Sequence, residues 1–432
     1  MMDTKNLNIN VHHVTRVEGH GNIVVDVKNG VMQRVEFEIV ESPRFFESML
    51  RGRKWHEAPY ITSRICGICA VGHAQASINA LEDALDVTAS EQTLTLRRLL
   101  FNAETMQSHW LHVFFLAAPD FFGAGSALAL VGDHPDVVKM ALRLKKLAND
   151  LADMICGRKV HPIAMKVNGF SSLPTEEQFR NIHGRLVAAR EDVAATVELL
   201  KTVEIPDFDN ETEYVALHLP DEYAWVSGCI RTSDGYDYDV KDYLKVAQET
   251  SVPHSTAKHT RHARDSYMVG ALARTKINFG FLRPEAQATA KELGLSADTV
   301  NPYMNNVAQI VETVHCLEDS IDLVAGFLRN PLKREPRDVQ TKAGRGIGAA
   351  EVPRGLLFHE YELDEDGTIT RANCIIPTGQ NLANLENDMK ALVPQIMDRS
   401  RDEITLALEM LVRAYDPCIS CSTHFLDVTF VP

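Results

Sequence analysis

Two Cys-x-x-Cys pairs stand near opposite ends of the chain, in Arg64-Ile65-Cys66-Gly67-Ile68-Cys69 and in Asp416-Pro417-Cys418-Ile419-Ser420-Cys421-Ser422-Thr423-His424. Cysteines three positions apart on a tight turn or helix start present both sulfurs to one ion. Four such thiolates suit zinc, nickel, copper(I) or iron-sulfur. A structural zinc site closed by four cysteines is the plain alternative, because that shell leaves no position open for chemistry. Zinc ribbons close over a short loop, whereas 349 positions separate Cys69 from Cys418. A site so divided forms only when the whole domain has folded, which favours a reactive metal over a staple. Its neighbours are acid-base groups: Glu18 in Thr15-Arg16-Val17-Glu18-Gly19-His20, His73 four positions past Cys69, and Asp416 and His424 beside the second pair. The remaining cysteines, Cys156, Cys229, Cys316 and Cys374, lack iron-sulfur spacing, so any cluster wiring must come from another chain.

The elements that must bring these ends together are mostly helical. Apolar spacing typical of helices runs through 90–118, 135–156, 175–202, 302–328 and 382–414. The first fifty residues alternate apolar and polar positions around Asn29-Gly30, a hairpin signal. A second β-rich patch spans about 342–378, where Gly344, Gly346 and Gly348 precede Glu351-Val352-Pro353-Arg354-Gly355. The expected fold is mainly α with small β elements (α+β), one large helical domain over 1–432. With 45% apolar and 24% charged residues and no low-complexity tract, the chain reads as globular. A net charge of -15 without a Lys/Arg stripe argues against nucleic acid. The start lacks the apolar run of a secretory signal, and the cysteine pattern suits a reducing compartment, so a cytoplasmic location is expected. The most apolar stretch, 113–132, is broken by Pro119, Asp120 and several glycines; it reads as core and not as a membrane span.

The motifs resemble those of the large, catalytic subunit of nickel-iron hydrogenases over nearly the whole chain. The resemblance rests on Arg16-Val17-Glu18-Gly19-His20, the first cysteine motif with His73, Gly157-Arg158 with His161-Pro162, Glu351-Val352-Pro353-Arg354-Gly355, and Asp416-Pro417-Cys418 through His424. The runs Glu41-Ser42-Pro43-Arg44-Phe45-Phe46-Glu47 and His254-Ser255-Thr256-Ala257-Lys258-His259 look most like the cytoplasmic, bidirectional NAD(P)-linked and sulfhydrogenase-like group. Pro377-Thr378-Gly379-Gln380-Asn381 departs from the uptake-type pattern, and Lys166-Val167-Asn168-Gly169-Phe170 departs from a common paired glycine.

The resemblance implies that Cys66 and Cys418 bind nickel terminally while Cys69 and Cys421 bridge nickel to an iron carrying cyanide and carbon monoxide. Arg354 and Thr378 would hydrogen-bond the cyanides, and Pro353 would wall their pocket. Glu18 would be the first proton relay from the Cys418 sulfur, though a turn carboxylate is the bland reading of it. His73 would orient a bridging thiolate, or be a satisfied core histidine. Asp120 and Asp416 align with carboxylates near the open nickel-iron face; the Asp-Pro context of Asp416 suits a helix N-cap equally. Glu47, the Ile376 carbonyl and His424 match a magnesium-type site. Residues 425–432 look like an extension cut away after His424. The implied function is reversible hydrogen oxidation with an iron-sulfur small subunit, diaphorase or flavin subunits, a maturation protease and nickel-insertion chaperones as partners. A hydrogen-sensing subunit, or a deazaflavin- or ferredoxin-linked enzyme, is the alternative.

Overall fold

Asn29 and Gly30 both adopt positive φ, 51° and 76°, the backbone that a two-residue hairpin demands. They sit in a sheet of three antiparallel strands, β1 (Leu7–Val11), β2 (Gly21–Lys28) and β3 (Val31–Ile39), in that order. Ile23, Val25 and Phe37 point inward and are fully buried, as the alternation predicts. The computed structural model describes residues 6–423, so His424 and the extension 425–432 lie outside the described residues.

Helices supply the rest of the frame. A short α1 (Phe46–Leu50) precedes α2 (Ala70–Leu85), α3 (Glu91–Leu111), α4 (Pro135–Cys156), α5 (Glu176–Leu200), α6 (Ala271–Asn278) and α7 (Asn305–Arg329). Their starts are written locally: Ser90 accepts from the Thr93 amide ahead of α3, and Thr175 with Gln178 forms a capping box on α5. The periodic stretch 382–414 is two helices, not one. α8 (Pro377–Ile396) ends before Ser400, whose side chain and Glu403 form a second capping box that starts α9 (Arg401–Ala414).

The expectation of core for 113–132 also needs correction. After α3 the helix widens to i→i+5 bonding over His112–Ala117, and beyond Pro119 the chain breaks into surface turns. Val113, Phe114 and Ala117 are buried, but Leu128 is 83% and Val131 44% exposed. No helix of the described residues is long and apolar enough to cross a membrane.

Between α7 and the C-terminal helices lies the second β patch. Strands β4 (Glu213–His218), β5 (Gln248–Thr250) and β6 (His259–Arg261) precede an antiparallel sheet of β7 (Gly344–Val352), β8 (Gly355–Leu363) and β9 (Ile369–Ile375). The glycines of β7 recur every second residue and so share one face. That face lies on the backbone of α2: a Cβ on Gly346 would sit 2.0 Å from the Ala80 carbonyl, and one on Gly348 2.2 Å from that of Ala76. Alanines four apart on the helix and glycines two apart on the strand thus permit backbone-to-backbone packing. The main apolar core runs through these layers and includes Cys66, Cys69, Cys418 and Cys421, while a second, smaller cluster gathers Leu217 of β4, Ile347 and Ala349 of β7 and Phe358 of β8.

Candidate metal centre

Cys69 is the residue immediately before α2, and the tight turn behind it aims two amides at the Cys66 sulfur, Ile68 N at 3.4 Å and Cys69 N at 3.1 Å. Cys418 arrives from the other end of the chain. The α9 helix stops at Ala414, and Asp416 takes the left-handed conformation (φ 49°), its amide bonded to Arg413 O at 2.8 Å. Asp416 therefore sits past a helix C-terminus and is not the N-cap its sequence also allowed; a short polar side chain tolerates that backbone. The turn places Cys418 Sγ 3.4 Å from Cys66 Sγ across 352 positions of sequence.

The sulfurs of Cys66, Cys418 and Cys421 lie within 4.8 Å of one another, and all four cysteines of the two motifs are buried. Cys66 and Cys69 are free thiols, and the Cys418 and Cys421 sulfurs touch across their turn; binding a metal takes both pairs as thiolates. Cys69 completes the group through its neighbours: its thiol hydrogen-bonds Cys66, and Arg354 Nη1 is 3.4 Å from its sulfur. That thiol, the Arg354 charge and the two amides outweigh burial and draw Cys66 down to about 7. Cys69, holding the shared proton and buried, is pushed well up.

Arg354 and Pro353 form the two-residue tip of the β7–β8 hairpin, closed by the pair Val352 and Gly355. Gly355 has φ 133°, and a Cβ there would meet Val269 at 2.5 Å, so only glycine serves. The buried Arg354 guanidinium grips Asp416, with Nη2 to Oδ1 at 2.9 Å and Nε to its carbonyl at 2.9 Å. Gln309 Nε2 holds the other Asp416 oxygen at 3.0 Å. Thr378, in the first turn of α8, accepts the Cys418 amide at 2.9 Å, which leaves its hydroxyl proton for another acceptor.

Glu18 lies against the Cys418 segment. A parallel bridge pairs it with Cys418, its carbonyl accepts Ile419 N at 2.9 Å, and its carboxylate accepts both the amide (3.1 Å) and the hydroxyl of Ser420. The Asp120 carboxylate is held by Arg413, at 2.6 Å from Nε, and by Arg16. It pins the loop before Glu18 to α9. His73 donates its backbone amide to Cys69 O at 3.0 Å, and its ring meets His359 at 3.2 Å, which in turn contacts Tyr361 Oη at 2.7 Å. One ring contact of His73 among the described residues is thus with a second histidine. Glu47 accepts from Cys374 N at 2.7 Å, two positions before the buried Ile376; the third member of that expected site, His424, is outside the described residues.

Two groups escaped the sequence reading. Glu104, in the middle of α3, accepts the amides of Val71 (2.6 Å) and Gly72 (2.9 Å) and so caps the helix that begins at Cys69. Burial outweighs those amides and pushes it up to about 8. Arg274, on α6, lies between two fully buried carboxylates, Glu312 and Glu351, and donates to the carbonyls of Val352 (2.8 Å) and Pro353 (3.0 Å). One guanidinium cannot balance two charges. Burial works against both acids, but Arg274 and His109 hold Glu312 at about 2, while burial keeps Glu351 up at about 7. The available signal was a charged residue beside apolar positions of a helical pattern, Ala271-Leu272-Ala273 before Arg274 and Leu99-Leu100-Phe101 before Glu104.

Comparison with known proteins agrees with this geometry. The family model described as nickel-dependent hydrogenase matches residues 44–153 and 255–424. Sulfhydrogenase 1 subunit alpha of Pyrococcus furiosus is 33% identical over 97% of this chain and 98% of its own length. The NAD-reducing hydrogenase HoxS subunit beta of Cupriavidus necator is 30% identical over 96% and 94%. A crystal structure of an NAD+-reducing [NiFe]-hydrogenase in the H2-reduced state superposes with a TM-score of 0.87 at 26% identity, covering 97% of this chain and 99% of that one. By motif, fold and the meeting of its two cysteine pairs, the chain belongs to the nickel-dependent hydrogenases, as one of their large, catalytic subunits.

Proposed function

We propose that this subunit performs reversible heterolytic oxidation of hydrogen at a nickel-iron centre held by Cys66, Cys69, Cys418 and Cys421, and passes the electrons through an iron-sulfur small subunit toward NAD(P). The observation that carries the reading is the meeting of two buried cysteine pairs from opposite chain ends beneath a fixed guanidinium. These residues fit such a centre: soft thiolates for two metals, a cationic donor beside them, and apolar walls that exclude water. When bound, the metal pair would supply the polarising site at which hydrogen splits heterolytically, each H2 yielding two protons and two electrons in all.

In this reading Cys66 and Cys418 would hold nickel, and Cys69 and Cys421 would be shared with iron. Arg354, Thr378 and the Pro353 wall would recognise the cyanide and carbon monoxide ligands that the iron would carry; Asp416 keeps Arg354 extended toward Cys69. Glu18 receives the proton from the Cys418 side. Asp120 acts by anchoring the Glu18 loop through Arg16 and Arg413, and His73 steadies the Cys69 turn. Glu47, the Ile376 carbonyl and His424 would hold a magnesium-class ion. The domain extends over 1–432, with 425–432 removed by a maturation protease once nickel-insertion chaperones have loaded the site. Diaphorase or flavin subunits and a cytoplasmic location complete the proposal.

The native complex tests it by elemental analysis and by hydrogen-dependent reduction of NAD, NADP and a deazaflavin. Nickel and iron in equal amounts with NAD or NADP reduction are expected. Stoichiometric zinc without nickel overturns the metal assignment, and reduction of deazaflavin alone overturns the acceptor.

A further inference from the structure

The run His254-Ser255-Thr256-Ala257-Lys258-His259 plays no part in the chemistry above, yet it places two imidazoles against a buried carboxylate. His254 lies on the connection between β5 and β6, His259 opens β6, and Glu386 projects from α8. His254 Nε2 is 2.7 Å from Glu386 Oε1, and His259 Nε2 is 4.0 Å from the same oxygen. The two rings stand 5.5 Å apart and nearly perpendicular, at 78°. All three donor atoms fall within 4.8 Å of one another. Phe37 N, on β3, donates to Glu386 Oε1 at 3.0 Å and fixes the carboxylate from behind.

A simple ion pair accounts for His254 and Glu386 but not for His259. Its residue is only 7% exposed, and its Nε2 has no hydrogen-bond partner. A buried ring nitrogen aimed at a carboxylate and a second imidazole, and satisfied by neither, is what a missing common partner leaves behind.

We propose that His254, His259 and Glu386 form a metal site, separate from the cysteine centre, that takes a zinc-class divalent cation. Two imidazoles and one carboxylate are the ligand types such an ion prefers over magnesium or calcium. Around an ion with bonds of about 2.0–2.1 Å, tetrahedral donors stand ~3.4 Å apart. The closer histidine must recede and the farther one advance by roughly 0.6 Å each, a side-chain rotation. The His254 side chain is 17% exposed, which gives an ion its entry and a fourth position to water. Lys390 Nζ, 3.9 Å from Glu386 Oε2, opposes a cation, but its side chain is 46% exposed and can turn outward. Bound there, the ion would tie β3 and the β5–β6 connection to α8, whose first turn carries Thr378 beneath Cys418.

Zinc is the probe. The native complex, dialysed against zinc and freed of excess, is analysed for zinc, nickel and iron beside the variants His259→Gln and Glu386→Gln. One zinc per chain is expected in the wild type, falling at least tenfold in either variant with nickel and iron unchanged. A wild type that retains no zinc overturns the proposal, as do variants that retain as much. Should the variants fail to accumulate, the zinc-edge absorption spectrum of the wild type decides: a shell of imidazole nitrogens and oxygens supports the site, and sulfur neighbours, which would put the zinc on the cysteines, overturn it.

Discussion

Glu18 is fastened to the segment that carries Cys418 by backbone and side chain together, so its carboxylate holds its place whether or not it carries a proton. Glu18→Gln preserves that shape and one acceptor but cannot relay. Hydrogen uptake should fall by roughly 10²–10⁴-fold with nickel, iron and thermal midpoint unchanged; uptake within threefold of wild type would assign the relay to another group. Asp388 offers a test of burial alone. It accepts from Asn210 Nδ2 and Tyr415 Oη at 2.7 and 2.6 Å, and burial pushes it from 3.8 up to about 6. Because the folded value is the higher one, its contribution to stability is full below about pH 4 and is lost as pH rises through 6. Asp388→Asn, with the Asn210 amide turned over to match, should raise the melting midpoint at pH 7–8 and leave it unaltered near pH 4; an equal change at both would refute the assignment. The cysteine pairs declared themselves by residue type and spacing, whereas the expectations for Glu18 and Arg354 came from the resemblance of their motifs. Asp120 could not be placed, since the Arg413 that claims it stands 293 positions away, and nothing local reveals which charge a buried carboxylate will meet.

At the scale of elements, the site depends on how closely β7 lies on α2, for the hairpin carries Arg354 and the helix carries Cys69 at its start. Gly346→Ala forces a methyl group into the Ala80 carbonyl and the Ala84 amide, 2.0 and 2.3 Å from the new carbon. Backbone atoms cannot rotate aside, so the layers must part, at a cost of about 3 kcal/mol or more. Lower yield, a melting midpoint several degrees down and loss of nickel are expected together. Gly184→Ala, inside α5 with open space around it, should be neutral or gain up to about 1 kcal/mol from helix propensity; equal losses in both variants would show that the β7 contact is not special. The hairpin, the capped helices and the glycine-rich strand were visible as patterns. The division of 382–414 was not weighed, although Ser400 and Glu403 spell a helix start, because apolar period alone continues across the break. The misreading of 113–132 came from hydrophobicity without geometry: three glycines and a proline turn that stretch outward, where Leu128 meets solvent.

For the whole molecule, the cysteines outside the two motifs are scattered: Cys156, Cys316 and Cys374 are buried singly, and the half-buried Cys229 begins a strand paired with β4. They offer no relay for electrons. The metal-loaded chain separated from its partners should therefore show no hydrogen-dependent reduction of NAD(P), and should regain it when an iron-sulfur subunit is restored; full activity of the lone chain would refute the division of labour. The 352 positions between Cys66 and Cys418 also set a schedule during synthesis. At about 5–20 residues per second, the first cysteine pair leaves the ribosome roughly 20–70 s before the second. For most of that interval half a donor set exists with no Glu18 bridge, no Arg354 and no Asp416 to discriminate among metals, and any soft ion in the cell would find it. Selectivity can begin only with the last few dozen residues made, so the order of translation itself requires that the correct metals be delivered late.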